Sequence, residues 1–317
     1  MTDKYLIISP CRNEEKFMKA TLDTVCRQSV LPDKWVIVDD GSTDDTPKIL
    51  NEYAAKYPFI SIVTRNNRGH RKVGGGVIDA FYSGMSSVDI NEYEYICKLD
   101  LDLELPEKYF ELIIKKMKGN PRIGNASGKP YYIDKNSGEL VSEGCGDENA
   151  IGATKFYRVD CFKQIGGFVR EVMWDGIDGH RCRMLGWIAV SWDEPEIRFI
   201  HLRPMGSSQK NILTGRRRHG FGQYFMGSSF IYMTIAAGYR MFFHHPFMLG
   251  GFAMWWGYVK SALTGVKRLN DNKFRKFLRT YQWNCLFKGK RRATQELNIK
   301  QVSCWDAGNP PGWVMDL

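Results

Sequence analysis

Four short apolar runs, each stopping at a polar cluster, constrain this chain most. Tyr5–Ser9, Trp35–Asp39, Ile60–Thr64 and Tyr93–Leu99 read as strands. Helical patterns alternate with them: one opened by Asn13–Lys16 and running through Leu22, Val25 and Cys26, then 47–57 and 74–85. Pro47 in a first helical turn, with Thr46 as its cap, fits the second of these boundaries. Such alternation predicts an α/β fold, a Rossmann-like, mostly parallel sheet flanked by helices, with ligands at the carboxyl ends of the strands. The polar clusters fall at those ends: Pro10-Cys-Arg-Asn-Glu14, Asp39–Thr46, and Asp100-Leu-Asp102.

The last cluster has the most pointed chemistry. Carboxylates two residues apart on extended backbone project to the same side, and two like charges that close are costly to bury without a cation between them. Mn²⁺ or Mg²⁺ carrying phosphate oxygens would supply one; the plainer alternative is a strand end facing water. A P-loop is excluded, since no Gly-x-x-x-x-Gly-Lys-Ser/Thr occurs, and Gly74-Gly-Gly76 follows the wrong strand for a dinucleotide fingerprint.

In this order the three clusters resemble those of the inverting family 2 glycosyltransferases of the GT-A fold, and the likeness covers roughly residues 4–205. The resemblance implies a nucleotide-diphosphate sugar donor (UDP, GDP or dTDP). Its base and ribose would be held by the loop Pro10, Arg12, Asn13 and Glu14 and by Asp40. Asp102 would ligate the metal, with Asp100 near the ribose or the metal. The basic stretch 65–72 stands where relatives contact the nucleotide or the sugar, with Arg68 or Arg71 on a phosphate or on a solvated face. Arg216-Arg-Arg-His219, with Arg217, stands where relatives cover the diphosphate with a basic loop, a lipid-headgroup patch being the rival reading. His201, after a strand at 197–200, is a candidate third metal ligand, although a lone His at a strand end is commonly structural.

On the acceptor side, 131–148 reads as a loop or hairpin over the site. Trp174-Asp-Gly-Ile-Asp178 precedes Gly186-Trp187 much as the family's acidic pair precedes its Gly-Trp. Asp175 falls at the usual offset for the general base, and Asp178 lies one helical turn on. Either could deprotonate an acceptor hydroxyl; the other would serve as a helix cap.

The remainder differs in kind. Residues 1–200 hold 27 Lys/Arg against 31 Asp/Glu, whereas residues 201–317 hold 18 against 4 and are rich in Phe, Tyr, Trp and Met. That combination points to an anionic membrane surface rather than nucleic acid. Residues 221–239 and 241–259 each lack Asp, Glu, Lys and Arg, near the minimum for a span. Phe274, Phe277, Leu278, Tyr281, Cys285 and Leu286 recur at helical spacing among cations, as in a helix lying on a bilayer. Interfacial attachment, a shallow or spanning hairpin, and a soluble subdomain or homo-oligomer interface remain open.

Eight scattered cysteines without zinc spacing read as free thiols, and no signal peptide precedes the first strand. The expected organisation is a transferase domain at 1–205, a helical membrane-interface region at 206–298 and an extended tail at 299–317. The expected activity is metal-dependent transfer to a lipid-linked glycan, or to a polyprenyl phosphate, on the cytoplasmic face of a bacterial inner membrane, in surface polysaccharide synthesis. A nucleotidyltransferase and a non-catalytic nucleotide-sugar-binding scaffold are the rivals.

Overall fold

The computed structural model describes residues 3–67, 69, 74–134, 136–203 and 212–305. The chain opens with β1 (Tyr5–Cys11), α1 (Met18–Cys26), β2 (Lys34–Asp39), α2 (Thr46–Lys56), β3 (Ile60–Thr64), α3 (Gly75–Met85) and β4 (Tyr95–Leu99). Then follow β5 (Leu103–Glu104), α4 (Tyr109–Gly119), β6 (Ile123–Gly128), β7 (Pro130–Ile133), β8 (Leu140–Ser142) and β9 (Thr154–Arg158). Next come α5 (Val159–Gln164), α6 (Trp174–Met184), β10 (Ile188–Trp192) and β11 (Phe199–His201). Five helices close the described chain: α7 (Ile212–Met226), α8 (Phe230–Phe243), α9 (Leu249–Leu263), α10 (Asn272–Lys288) and α11 (Lys290–Lys300).

Among the described residues the main sheet has the order β10-β6-β9-β4-β1-β2-β3. Its pairs are parallel except those of β9, which runs against β4 and β6. The central strands are apolar on both faces, as a sheet covered by helices on both sides requires. Tyr5 and Ile7 face α1, α2 and α4; Leu6 and Ile8 face α3, α5 and α6. A smaller sheet, β5-β11-β7-β8, holds the predicted hairpin.

Register places the motifs. Cys11 pairs with Asp39 and Ile8 with Lys98, so the ends of β1, β2 and β4 finish side by side. His201 pairs with Leu103, which brings it beside the strand end carrying Asp102.

The helical region departs from the sequence expectations in three ways. Phe274, Leu278 and Tyr281 of α10 are buried, the first two against Ile177 of α6 and Met226 of α7, so the face expected on a bilayer is spent inside the protein. The two uncharged stretches are not single helices. Gly227, with φ near 89°, ends α7, and Ser229 caps α8 by accepting from the Tyr232 N–H at 3.2 Å. At 14 and 15 residues, α8 and α9 are each roughly 20 Å long against a hydrocarbon core of about 30 Å. Among the described residues no helix is long and apolar enough to cross a membrane. Finally, the start of the expected extended tail is helical: Ile299 and Lys300 finish α11, and 301–304 form a 3₁₀ turn. The Gln301 amide donates to the Met184 carbonyl at 3.0 Å, and Trp305 meets Trp187 edge-on at 5.7 Å.

Candidate active site

A cavity of about 470 Å³ opens where the motif-bearing strands end. Pro10, Arg12, Glu14 and Asp40 line one side, Asp100 and Asp102 the floor, and Asp175, His201, Arg203, Arg218 and His219 the remaining walls. The structure thus brings together most of the residues singled out from the sequence, and shows what holds them.

The first wall is tied across the sheet. The Asp40 N–H donates to the Cys11 carbonyl at 2.9 Å, and the Arg12 guanidinium donates to the Asp40 carbonyl at 3.1 Å. Arg65 pairs with the Asp40 carboxylate at 2.9 Å. Asn13 does not line the cavity; its side chain accepts from the Thr43 N–H at 2.8 Å and its own N–H donates to Ser42, so it clamps two loops together.

At the floor, each carboxylate of the Asp-x-Asp pair meets a cation from the chain itself. Lys98, almost fully buried, pairs with Asp100 and donates to the Gly152 carbonyl at 3.0 Å. Arg203 bridges two acids, with Nε 2.6 Å from Asp102 and Nη2 2.6 Å from Glu14. Like charges gathered in a low-dielectric site need that compensation. Lys98 was a visible signal, a lysine inside an apolar strand; Arg203, 101 residues away in sequence from Asp102, was not.

His201 stands on the same side, its Nδ1 2.6 Å from a Glu143 carboxylate oxygen of the hairpin region. Among the described residues no three His, Cys, Asp or Glu side chains stand close enough to cage a metal by themselves. The oxygen donors of Asp100 and Asp102 nonetheless suit a hard divalent cation that takes one or two carboxylates and fills its shell with substrate phosphates.

The two candidate bases on α6 separate clearly. Asp175, in the first turn, opens on the cavity. Its side chain is exposed to the solvent of that concave opening, and the protein atoms crowded around it raise its pKa above the ordinary carboxylate value; Lys155 and Lys98 oppose the rise and Asp178 adds to it. Asp178 points under the helix instead. It is buried in an ion pair with Lys155 of β9 at 2.5 Å and accepts from the Tyr157 hydroxyl. It does not reach the cavity. Trp174 packs between Lys98 and Lys155, its ring 5.3 and 5.4 Å from their ammonium groups, and so links the floor to the base.

From α7, Arg218 and His219 enter the cavity wall, whereas Arg217 faces solvent and does not line it. Burial lowers the Arg218 pKa while the Asp175 charge opposes that. Burial, with Arg240, Arg216 and Arg218 nearby, pushes His219 down to about 4, leaving a neutral imidazole at neutral pH. Arg68 lies outside the described residues.

Comparison with known proteins places this arrangement. The model of the family Glycosyl transferase family 2 matches residues 6–166, about half of the chain. Poly-beta-1,6-N-acetyl-D-glucosamine synthase of Staphylococcus epidermidis is 28% identical over 127 residues, 40% of this chain and 28% of that protein. An uncharacterized protein of Mycobacterium tuberculosis is 34% identical over 97 residues, 30% of this chain and 26% of its own length. The chain therefore spans less than a third of the length of these curated relatives. Among solved structures, a mannosyltransferase from Pyrobaculum calidifontis in complex with GDP-Man and Mn²⁺ aligns with a TM-score of 0.54 at 16% identity, over 95% of this chain and 85% of that one. TarS 1–349 of S. aureus in complex with UDP-GlcNAc aligns with a TM-score of 0.50 at 14% identity, over 95% and 89%. At these identities the likeness is one of fold.

Proposed function

This chain belongs to glycosyl transferase family 2, and from the cavity it carries we propose that it transfers a sugar, with inversion, from a nucleotide-diphosphate donor to an acceptor hydroxyl. One observation carries the reading: Asp40, Asp100 and Asp102 line the same cavity as Asp175, whose raised pKa suits it to accept a proton. The nucleotide would lie along Pro10, Arg12 and Asp40, where a carboxylate can accept from base N–H and ribose hydroxyl groups. Asp175 would take the acceptor hydroxyl's proton as the acceptor oxygen bonds to the anomeric carbon and the bond from that carbon to the diphosphate oxygen breaks. Lys155 and Lys98 stabilise the ionised base beforehand. Arg218 flanks the base and adds positive charge to the wall.

Asp102, with Asp100 beside it, would hold Mn²⁺ or Mg²⁺, which when bound offsets charge on the departing diphosphate. The Mn²⁺ in the P. calidifontis structure supports that choice. For the acceptor we favour a lipid-linked glycan over a bare polyprenyl phosphate, in surface polysaccharide synthesis at the cytoplasmic face of a bacterial membrane. The named activity of the S. epidermidis relative supports the polysaccharide. The large apolar side chains exposed on the helical region support the lipid.

The test is nucleotide release from a panel of UDP-, GDP- and dTDP-sugars, with and without Mn²⁺ and a membrane lipid extract, for the wild type, Asp102→Asn and Asp175→Asn. Release from one donor, raised by the extract and lost in both variants, is expected. Nucleotide binding without turnover of any donor would sink the transferase reading and favour a binding protein.

A further inference from the structure

Among the described residues, a broad apolar surface left uncovered is the outer face of α8 and α9. On α8, Ile231, Ile235, Tyr239 and Phe242 recur at helical spacing and are all exposed, Phe242 to 67%. On α9, Leu249, Phe252, Trp256 and Leu263 do the same, Leu263 to 76%. The two stripes are continuous: Phe230 and Phe252 both lie within 6.4 Å of the Trp255 ring, which bridges the helices. Phe243, Phe247 and Met248 extend the face around the turn. Solvent-exposed apolar area on this scale marks an interaction surface.

Charge identifies the occupant. Between Glu196 and Asp271 the sequence contains no acidic residue, while α7–α9 carry Arg216, Arg217, Arg240 and Lys260 outside the cavity wall. A second copy of the chain would set these cations against themselves. An anionic surface would pair with them. We propose that the α8–α9 face docks on an anionic lipid bilayer, with its aromatic and aliphatic side chains at the acyl boundary and its cations at the headgroups. Neither helix is long enough to cross, so both lie in the interface plane.

The connection to the cavity is direct. A Cβ on Gly220 of α7 would stand 1.9 Å from the Met254 carbonyl oxygen, and one on Gly257 of α9 would stand 2.1 Å from that of Arg217. The two helices therefore touch backbone to backbone. Because α7 also carries Arg218 and His219 into the cavity wall, docking α9 fixes the cavity relative to the membrane. Delivery of a lipid-borne acceptor rests on the transferase reading; the docking itself does not.

The experiment is flotation of the full chain with phosphatidylcholine vesicles, with and without phosphatidylglycerol, in the absence of donor. The variants are Phe242→Glu/Phe252→Glu and, on the helix expected from sequence to lie on the bilayer, Phe287→Glu. The wild type and Phe287→Glu should bind the phosphatidylglycerol vesicles, more weakly at high salt. The double variant should lose about tenfold or more in affinity while keeping its circular dichroism spectrum. Equal binding of all three proteins, or no wild-type binding, would overturn the assignment. So would equal binding to phosphatidylcholine alone, or a dimer dissociated by the double variant. Vesicle binding without turnover of any donor would leave the docking intact and remove the transferase reading.

Discussion

The strand layers and the helices that follow them dispose of the same kinds of side chain in opposite ways. In the sheet, aromatic residues such as Phe156 pack inward against Tyr5, Tyr95 and Phe110, and charges converge at the strand ends on one cavity. In α8 and α9, Phe242, Phe243 and Leu263 face outward, while Met233, Ala237, Met254 and Tyr258 meet inside. The first region has its apolar faces covered; the second has apolar area left over. Hydrophobic content alone does not separate a core from a docking face, because what matters is which stripe the neighbouring backbone leaves uncovered.

Matched truncations break the comparison most directly. Phe156→Ala should cost about 3–5 kcal/mol of stability. Phe242→Ala should stay within about 0.5 kcal/mol, as solvent-facing changes do. Chemical denaturation of both variants measures this, and equal losses would mean that α8 packs as a core helix.

The acidic pair of α6 gives a second contrast. Asp175→Asn should lower transfer on the order of 10²–10⁴-fold with donor binding kept, as loss of a base does. Asp178→Asn should destabilise by about 3–5 kcal/mol, because Lys155 is left buried without its partner. Steady-state kinetics beside thermal melts would expose a reversal of the two roles.

Arg203→Met tests the cations that hold the floor. With the bridge to Glu14 and Asp102 removed, Mn²⁺ affinity measured without nucleotide should rise about tenfold, since a hydrogen-bonded charge no longer competes for the carboxylates. An unchanged affinity would place the metal elsewhere.

The smallest expected effect is in pH. The carboxyl of Asp175 is raised, so its base form is lost as pH falls through a value above the usual carboxylate range. The acid limb of kcat/KM should lie there in the wild type and vanish in Asp175→Asn. The same shift means the folded chain holds this proton more tightly than the unfolded one. The contribution of Asp175 to stability is therefore present at low pH and lost as pH rises through its folded pKa. At neutral pH, Asp175→Asn should then melt slightly higher than the wild type.

Much of this was legible in the order of residues. Short apolar runs ending in Pro10–Glu14, Asp39–Thr46 and Asp100–Asp102 specify strands, their parallel pairing and a site at their ends, because continuous apolar strands and crossover connections are local properties of the chain. The composition also marked out the basic, aromatic C-terminal part. Three decisions needed the tertiary structure: that Arg203 lies between Asp102 and Glu14, that Asp175 rather than Asp178 meets the cavity, and that α10 turns its apolar stripe inward while α8 and α9 turn theirs out. An amphipathic period states only that a helix has an apolar face. What that face covers depends on which distant surface packs against it, and no spacing within the helix encodes that.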